Sequence, residues 1–514
     1  MRALPLLLLA TACNPWDLPN TGNFYLDEPM WDEAVVAASD GVYVSLPAGD
    51  ALVRVNTDGT WTQVDLRGAS ADRMVLAPDG QTVMVWTSWP ICADEDPKIK
   101  LVSDCTSDDL STGHEFVLVR DAAVVSDPLD VPYQYNAVGF NAEGSLAAAW
   151  LDFANAGTIE VDGVLNLTEA VFIPMDGSAA FPVPVGFAPE DVLFTQGSNP
   201  RAVVLSRSQV AVVDLTERRV TVTYPLTLDP DNEVQPTDVV LTPDGNYALV
   251  SVAGSSDLYV LDLGQESIDI VELNGVPSDL LVDAANDRTV IVYGNSRTVD
   301  VLEHVYFETE TFELDEPAAS VLPVDGKALL YNPSQSVHDV YLFEVATGSV
   351  TEYRAENPVM EMVITADQTR AVATMNTESS SSSGGVGGYY DSHYGLSIFD
   401  LTDDRTPIAL LLEGRPLGVA LVEDGSSNHA LVLSDGVDQL LQIDLADATN
   451  NPIELSEPPL GIAAQPSGDF VVTEDSPLGA IAFLAPGAES VTEVAGFAAT
   501  NLFRDYPLPR RGEE

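Results

Sequence analysis

The stretch that decides the fold is Val240-Leu241-Thr242-Pro243-Asp244-Gly245, continued by Tyr247-Ala248-Leu249-Val250-Ser251-Val252 and Asp257-Leu258-Tyr259-Val260-Leu261-Asp262-Leu263. Asp-Gly after proline supplies a tight hairpin turn, and the apolar runs around it are typical of β-strands. The same pattern stands earlier as Met74-Val75-Leu76-Ala77-Pro78-Asp79-Gly80. Each stretch therefore predicts consecutive strands joined by a short turn.

Weaker copies of this unit recur from about residue 34 onward, and helical spacing of apolar residues is nearly absent. The copied turns contain Asp283 to Asp287, Val324-Asp325-Gly326, Ala366-Asp367, Glu423-Asp424-Gly425 and Pro466-Ser467-Gly468. Third strands are predicted at 210–215, 340–345, 396–401 and 440–445. We count ten units, starting near residues 34, 71, 133, 187, 235, 276, 317, 357, 415 and 458.

A spacing of roughly 37 to 62 residues suits a four-stranded propeller blade with variable loops. A single blade would leave both sheet faces unburied, whereas radial stacking lets each blade cover its neighbour. The sequence therefore predicts an all-β propeller over residues 34–500. The units resemble the YVTN-type and lactonase-like β-propeller repeats of bacterial exported proteins. Because this resemblance consists of a turn and strand pattern, it implies a fold and leaves the function open.

Ten units exceed the four to eight blades usual in one propeller. We favour a single ring, because no linker rich in Pro, Gly or Ser divides the repeats evenly. The alternatives are two smaller rings, or seven or eight blades in which some blades take up extra units.

Composition limits the classes of partner. The chain has 514 residues, with 80 Asp and Glu against 21 Lys and Arg, a net charge of −59, and 46% hydrophobic residues. Such a chain can bury a core and carries its acid on the surface, which repels nucleic acid and anionic lipid headgroups. Only three lysines occur, Lys98, Lys100 and Lys327. Dense acid is explained either by solubility in a saline habitat or by an attraction for cationic partners.

The first residues are typical of an export signal. Met1-Arg2 is followed by the apolar run from Ala3 to Ala12, which is signal-peptide length and too short to span a bilayer. Ala10-Thr11-Ala12-Cys13 resembles a bacterial lipoprotein box, although Ala10 stands where that family usually has Leu. The resemblance implies a signal peptide over 1–12, lipidation of Cys13 and a tether over 13–33. Ala10-Thr11-Ala12 also fits an ordinary cleavage site. Residues 501–514 are a tail.

Without Cys13, an even pair of cysteines remains. Cys92 and Cys105 are 13 positions apart in a polar stretch, and an exported protein favours their pairing. Two free thiols are the alternative. A zinc site needs more ligands than this segment offers, since only His114 is near.

Two insertions interrupt the repeats, Trp89 to His114 and Thr377 to His393. The second contains a Ser/Gly run that cannot pack into a core. Tyr389, Tyr390 and Tyr394 are of a type common at contact surfaces, and function often lies on loops held by a scaffold. They are candidate binding residues, and a tolerated surface insertion is the alternative.

Two acidic segments offer oxygen ligands of the kind that Ca²⁺ prefers. One contains Asp229, Asp231 and Glu233, although Pro230 and a missing glycine depart from an EF-hand loop. The other holds Asp94-Glu95-Asp96 with Asp104, Asp108 and Asp109. In so acidic a chain such clusters also arise from composition alone. No other cofactor is expected.

The known catalytic motifs are absent from the sequence. It has no Cys-x-x-Cys-His, which excludes covalently attached c-type haem, and no Gly-x-Ser-x-Gly, His-Glu-x-x-His or phosphate-binding Gly-rich loop. The histidines share no repeat position; they are His114, His304, His338, His393 and His429.

These observations predict a membrane-anchored, non-catalytic binding scaffold at the bacterial cell envelope, outside the cytoplasm. Its partner would be an envelope protein or a glycan. The alternative is an exported lactonase-like or other hydrolase with a metal-dependent site at the propeller channel. Its residues would come from several blades, a pattern that one sequence conceals.

The predicted anchor can be tested by fractionation. Cys13→Ser should move the protein from the membrane fraction to the soluble exported fraction, because the acyl chains would have no attachment point. Mass spectrometry of the wild type should find the lipid on Cys13. A wild-type protein that is already released and carries an unmodified Cys13 would contradict lipidation.

Overall fold

The structure is a computed structural model of the 514-residue chain. The residues that it describes are 34–46, 51–66, 69–92, 105–106, 110–126, 129–131, 135–153, 166–196, 200–227, 234–334, 336–377, 392–423, 428–437, 439–476 and 479–496. The predicted signal peptide, tether and C-terminal tail lie outside these residues.

Every regular element among the described residues is a β-strand, and the strands form ten antiparallel sheets. Nine sheets contain four strands in chain order, and the second carries a fifth strand. The predicted all-β propeller of four-stranded blades is confirmed, with ten blades, numbered 1 to 10 along the chain. Each predicted repeat forms its own blade and begins at or within a few residues of its predicted start. No helix of the described part has the length and apolar character needed to cross a membrane.

Blades 1 to 5 take up the first part of the chain. Their strands are, in blade 1, β1 Val35–Ala38, β2 Gly41–Leu46, β3 Ala51–Val55 and β4 Trp61–Val64; in blade 2, β5 Ser70–Leu76, β6 Val83–Cys92, β7 Leu110–Arg120, β8 Ala123–Val124 and β9 Leu129–Val131; in blade 3, β10 Ala137–Phe140, β11 Leu146–Trp150, β12 Glu169–Pro174 and β13 Phe181–Pro184; in blade 4, β14 Pro189–Phe194, β15 Arg201–Ser206, β16 Gln209–Asp214 and β17 Arg219–Pro225; and in blade 5, β18 Pro236–Leu241, β19 Tyr247–Val252, β20 Asp257–Asp262 and β21 Ser267–Glu272.

Blades 6 to 10 follow with the same order. Their strands are, in blade 6, β22 Asp279–Asp283, β23 Arg288–Val292, β24 Thr298–Glu303 and β25 Thr309–Glu313; in blade 7, β26 Ser320–Val324, β27 Lys327–Tyr331, β28 Asp339–Glu344 and β29 Ser349–Arg354; in blade 8, β30 Val359–Ile364, β31 Arg370–Met375, β32 Gly395–Asp400 and β33 Ile408–Leu411; in blade 9, β34 Pro416–Glu423, β35 Asn428–Ser434, β36 Gln439–Asp444 and β37 Asn450–Glu454; and in blade 10, β38 Pro459–Ala464, β39 Phe470–Glu474, β40 Ala480–Leu484 and β41 Thr492–Ala495.

The blades fall into two compact units. Unit 1 consists of Met1–Gln134 together with Leu455–Glu514 and contains blades 1, 2 and 10. In it, Val42 and Val53 of blade 1 share a core cluster with Val471 and Ile481 of blade 10, so the first and last blades are neighbours. Unit 2 consists of Tyr135–Glu454 and contains blades 3 to 9.

Side chains of one strand alternate between two cores, because successive residues point to opposite faces of a sheet. On β15, Ala202 and Val204 pack in the cluster between blades 3 and 4, whereas Val203 and Leu205 pack in the cluster between blades 4 and 5. This explains why the second and third strands read as continuous apolar runs, with both faces buried.

The Pro-Asp-Gly turns are held by the aspartate side chain. Asp244 accepts hydrogen bonds from the Asn246 backbone N–H at 3.0 Å and the Thr242 hydroxyl at 2.7 Å. Asp367 closes the corresponding turn of blade 8. Although partial burial opposes the effect, hydrogen bonds from Thr365, Thr369 and Asn428 lower the pKa of Asp367 to about 2. Part of the acid excess therefore serves as local turn chemistry.

Long polar side chains join neighbouring blades near the ends of third strands. Arg201 donates from Nη1 to the Leu263 carbonyl of the next blade at 2.7 Å, and Arg288 does the same with Val345 at 3.0 Å. The hydroxyl of Tyr353 on β29 donates to the Asp400 carbonyl of blade 8 at 3.0 Å. These bonds satisfy backbone carbonyls that the sheets leave unpaired.

A comparison of two glycines distinguishes the effect of backbone strain from the effect of packing between blades. Gly348 and Gly254 have the same positive φ of 71°. A Cβ on Gly348 would collide with the Phe312 ring of the preceding blade, whereas one on Gly254 would meet nothing within 4 Å.

We therefore expect Gly254→Ala to lower the free energy of unfolding by about 1 kcal/mol, since alanine disfavours this φ. Gly348→Ala should lower it by about 2 to 4 kcal/mol, because overpacking adds to the strain. Denaturant unfolding of the two variants measures the difference. Equal losses would show that the contact between the Gly348 turn and Phe312 does not contribute.

Candidate functional site

The first strands of the blades in unit 2 form its candidate functional surface. Contacts join β10 to β14, β18 to β22 and β22 to β26, so the first strands of these neighbouring blades approach one another. The fourth strands β21 and β25 are largely exposed. The first strands therefore lie on the inner side of the blades.

An acidic residue recurs at one position of these first strands. Pro189-Glu190-Asp191 and Pro236-Thr237-Asp238 begin the first strands of blades 4 and 5, and Pro277-Ser278-Asp279 leads into that of blade 6, which begins at Asp279. Ser320 and Glu361 occupy the position in blades 7 and 8. A β-bulge separates Pro189 from Asp191, Pro236 from Asp238 and Val359 from Glu361, and it sets the acidic residue in register with the second strand. We call Asp191, Asp238, Asp279 and Glu361 the inner acidic row.

Solvent reaches the acidic row, although protein surrounds it. Asp191 and Glu361 are exposed, and Asp238 and Asp279 are half-buried. Burial nevertheless raises the pKa of Asp191 and of Asp279. Carboxylates that are both accessible and desolvated indicate a recessed surface.

The acidic groups also interact with one another. Burial, together with the negative charges of Asp279 and Asp191, raises the pKa of Asp238 to about 6. Burial is likewise the main cause of the raised pKa of Tyr331 on blade 7, and the charges of Glu361 and Asp279 add to it. The row is therefore one continuous negative field across several blades.

Little positive charge compensates this field. Asp279 accepts hydrogen bonds from the Val321 and Leu280 backbone N–H groups at 2.9 Å each. Asp191 accepts from the Val192 backbone N–H at 2.7 Å. In the part of the chain that the structure describes, neither carboxylate forms an ion pair, whereas Glu190, next to Asp191 in sequence, pairs with Arg207 at 3.9 Å. The row is free to attract a cation from outside.

Exposed apolar side chains occur close in sequence to the starts of first strands. Phe187 is 50% exposed and lies two residues before Pro189; Val276 is 45% exposed and precedes Pro277. Leu417 is 49% exposed, directly after Pro416 at the start of blade 9. Apolar and acidic groups on one surface fit a partner with basic and apolar side chains.

A hydrogen-bond chain in blade 6 has the order of a catalytic triad. Asp287 contacts Nδ1 of His304 at 2.9 Å, and Nε2 of His304 contacts the Thr289 hydroxyl at 2.8 Å. Thr289 is 0% exposed, so no substrate can reach its hydroxyl. Because a nucleophile must contact its substrate, this chain of hydrogen bonds stabilises the packing of blade 6 and does not act as a catalytic triad.

The remaining histidines do not converge. His338 contacts the Ala355 carbonyl, His393 contacts the neighbouring Ser392, and His429 is buried on β35. Burial lowers the pKa of His114 on β7. Among the described residues, no group of three or more His, Cys, Asp or Glu side chains is arranged to hold a metal ion.

The structure shows the positions of several of the predicted site residues. A disulfide joins Cys92 and Cys105, with their Cα atoms 6.0 Å apart, as expected. Tyr394 packs partly against the core between blades 8 and 9. Other candidates lie outside the described residues; they are Cys13, Asp229, Asp231, Glu233, Tyr389, Tyr390 and the cluster of Asp94, Glu95, Asp96, Asp104, Asp108 and Asp109.

Our sequence reading missed the acidic row. The signal that reveals it is a second repeat, Pro-x-Asp, about five residues before the Pro-Asp-Gly turn in blade 5 and at the equivalent place in blades 4 and 6. A search for repeated turns passes over it, because it lies at the start of a strand.

Among the described residues of unit 1, a buried glutamate forms no ion pair. Glu474 is 0% exposed; its Oε2 accepts from the Glu457 backbone N–H at 3.1 Å, and its Oε1 has no hydrogen-bond partner. Ser456 hydrogen-bonds both Glu474 and Glu493. Burial first, and then the charge of Glu493, raises the pKa of Glu474 to about 7.

The raised pKa predicts a pH effect on stability. The folded state holds this proton more tightly than the unfolded state, so its stabilisation is full below about pH 4.5 and is lost as the pH rises through about 7. Glu474→Gln should remove that loss and should be the more stable protein at pH 8, by an amount on the order of 2 kcal/mol. Denaturant unfolding between pH 5 and 8 measures it, with exposed Glu489→Gln as control. Parallel pH curves for wild type and Glu474→Gln would contradict a raised pKa.

Comparisons with known proteins give no functional assignment. No protein-family model matches the chain, and no curated protein matches it. Among solved structures, Kuenenia stuttgartiensis hydrazine synthase is 14% identical, with 57% of this chain and 92% of that chain covered and a TM-score of 0.34. A eukaryotic initiation factor is 14% identical, with 75% and 90% covered and a TM-score of 0.48. The dihydro-heme d1 dehydrogenase NirN is 13% identical, with 64% and 71% covered and a TM-score of 0.38. The function must therefore be inferred from the residues of this chain.

Proposed function

We propose that this protein is an exported, lipid-anchored propeller of the cell envelope that binds a cationic polypeptide on its inner acidic row and has no catalytic role. The sequence signal for the anchor is Ala10-Thr11-Ala12-Cys13, and the turn pattern resembles YVTN-type repeats of exported proteins. The observation that carries the binding proposal is the mutually interacting, uncompensated carboxylates of Asp191, Asp238 and Asp279.

The chemistry favours a polypeptide over a simple ion. The described residues group no three ligands for a metal, and the row extends across blades 4 to 8. A flexible basic segment can place several Arg or Lys side chains along such a row, and the exposed Phe187, Val276 and Leu417 can receive its apolar residues. The strong negative charge would also speed its approach.

The hydrolase alternative has less support. It requires a nucleophile or metal that substrate can reach, and the triad-like order in blade 6 ends on the buried Thr289. The inner acidic row offers carboxylates that attract cationic groups, which suits binding.

The binding proposal can be tested with an oligoarginine peptide and the full-length Cys13→Ser protein. In isothermal titration calorimetry, the triple variant Asp191→Asn, Asp238→Asn, Asp279→Asn should bind the peptide about tenfold more weakly, a loss of about 1.4 kcal/mol. Wild-type binding should also weaken as the pH falls through about 6, because Asp238 then becomes neutral.

A charge-matched control separates this surface from general attraction. Asp269, Glu272 and Glu310 lie exposed on the fourth strands of blades 5 and 6. Asp269→Asn, Glu272→Gln, Glu310→Gln removes the same charge and should leave the affinity within about twofold of wild type, since exposed charges are well screened. Equal losses in the two triple variants would overturn the proposed site.

A further inference from the structure

A cavity of about 460 Å³ lies between blades 8 and 9 in unit 2. Leu410 and Leu412 line it from blade 8, and Leu441 and Pro452 line it from blade 9. Leu441 and Pro452 stand directly opposite each other on β36 and β37, so they form one apolar wall. The volume falls within the range of roughly 300–1,000 Å³ typical of small-molecule sites.

Two other blades carry a tyrosine at a position that lines this cavity in blade 8. Tyr224 pairs with Val210 in blade 4 and Tyr353 pairs with Val340 in blade 7; each tyrosine stands opposite the second residue of its third strand. Leu410 pairs with Leu396 and holds the same position in blade 8.

In the two blades with tyrosine, the ring reaches the next blade. The Tyr224 hydroxyl donates to the Asp262 carbonyl, and the Tyr353 hydroxyl donates to the Asp400 carbonyl at 3.0 Å. Leucine has neither the ring nor the hydroxyl, and β33 has only four residues where β29 has six. The interface between blades 8 and 9 therefore lacks the contact that tyrosine makes in blades 4 and 7.

The polar groups at the cavity suggest what it accepts. Gln439 and Asn450 offer amide groups, and Glu413 is the one charged residue among the described residues of the lining. Within the described residues Glu413 forms no ion pair, and the whole chain has a net charge of −59. An anionic molecule would be repelled, whereas an apolar body with a neutral or cationic polar end would be accommodated.

We propose that this cavity binds a small amphiphile with an apolar body and a neutral or cationic end. The site lies away from the inner acidic row and is independent of the function proposed above. Its occupation would replace the contact that a tyrosine makes between the corresponding blades.

The test uses a matched pair of fluorescent probes and the full-length Cys13→Ser protein. N-phenylnaphthylamine is neutral, and anilinonaphthalene sulfonate has the same ring system with an anionic group. The neutral probe should bind at one site per chain with increased fluorescence, and the anionic probe should bind at least about tenfold more weakly. No saturable binding of the neutral probe, or equal binding of the two, would overturn the proposal.

A filling variant locates the site. In Leu410→Tyr the new ring should occupy the cavity and reach the Asp444 carbonyl, the equivalent of Asp262 and Asp400 at the end of the third strand. Binding of the neutral probe should fall at least about tenfold, because the cavity would be filled. Ile270→Tyr, at an exposed position on β21 outside the lining, should bind as wild type does.

Folding is checked by circular dichroism and thermal unfolding. If Leu410→Tyr does not fold, Leu441→Phe fills the cavity from the opposite wall and replaces it in the test. A folded filling variant that keeps wild-type affinity for the neutral probe would overturn the proposal, as would an equal loss in Ile270→Tyr.

Discussion

Burial of both faces of every four-stranded sheet is the constraint on which the rest of this structure depends. A blade has two apolar faces, and one neighbour covers only one of them. Two neighbours are therefore needed, and β15 shows how they are used. Ala202 and Val204 face one neighbouring blade, while Val203 and Leu205 face the other. Because each blade needs two neighbours, the first and last blades also pack together, through Val42 and Val471 among others.

The same constraint places the charge. Since the second and third strands are largely buried on both faces, carboxylates lie mainly in turns, on outer and inner strands, and at the ends of the third strands. The turn aspartates Asp244 and Asp367 are held by local hydrogen bonds. Asp191, Asp238 and Asp279 also accept backbone hydrogen bonds, but burial outweighs them and raises the pKa of each. Aspartate thus stabilises the turns, and on the inner strands it produces a negative field that attracts cations.

Individual blades differ in the residues that they carry at equivalent positions. Tyr353 closes the gap between blades 7 and 8, whereas Leu410 leaves a cavity at the same place between blades 8 and 9. Glu474 is buried at the end of a second strand, where Ser206, Met375 and Ser434 stand in other blades. A repeat scaffold tolerates such exchanges because each interface is largely local.

The sequence by itself determined the blades: the Pro-Asp-Gly turns and apolar strands predicted ten repeats, their starts and their third strands, because these features depend on neighbours along the chain. It also singled out Cys92 and Cys105 as a pair. The tertiary structure alone decided that Asp191, Asp238 and Asp279, which are some forty residues apart in sequence, share one field. It also decided that Thr289 is sealed beside His304 and that Leu410 leaves a cavity. These features depend on which faces of different blades meet. The periodicity along a strand shows which residues share a face, and it does not show which blade that face contacts.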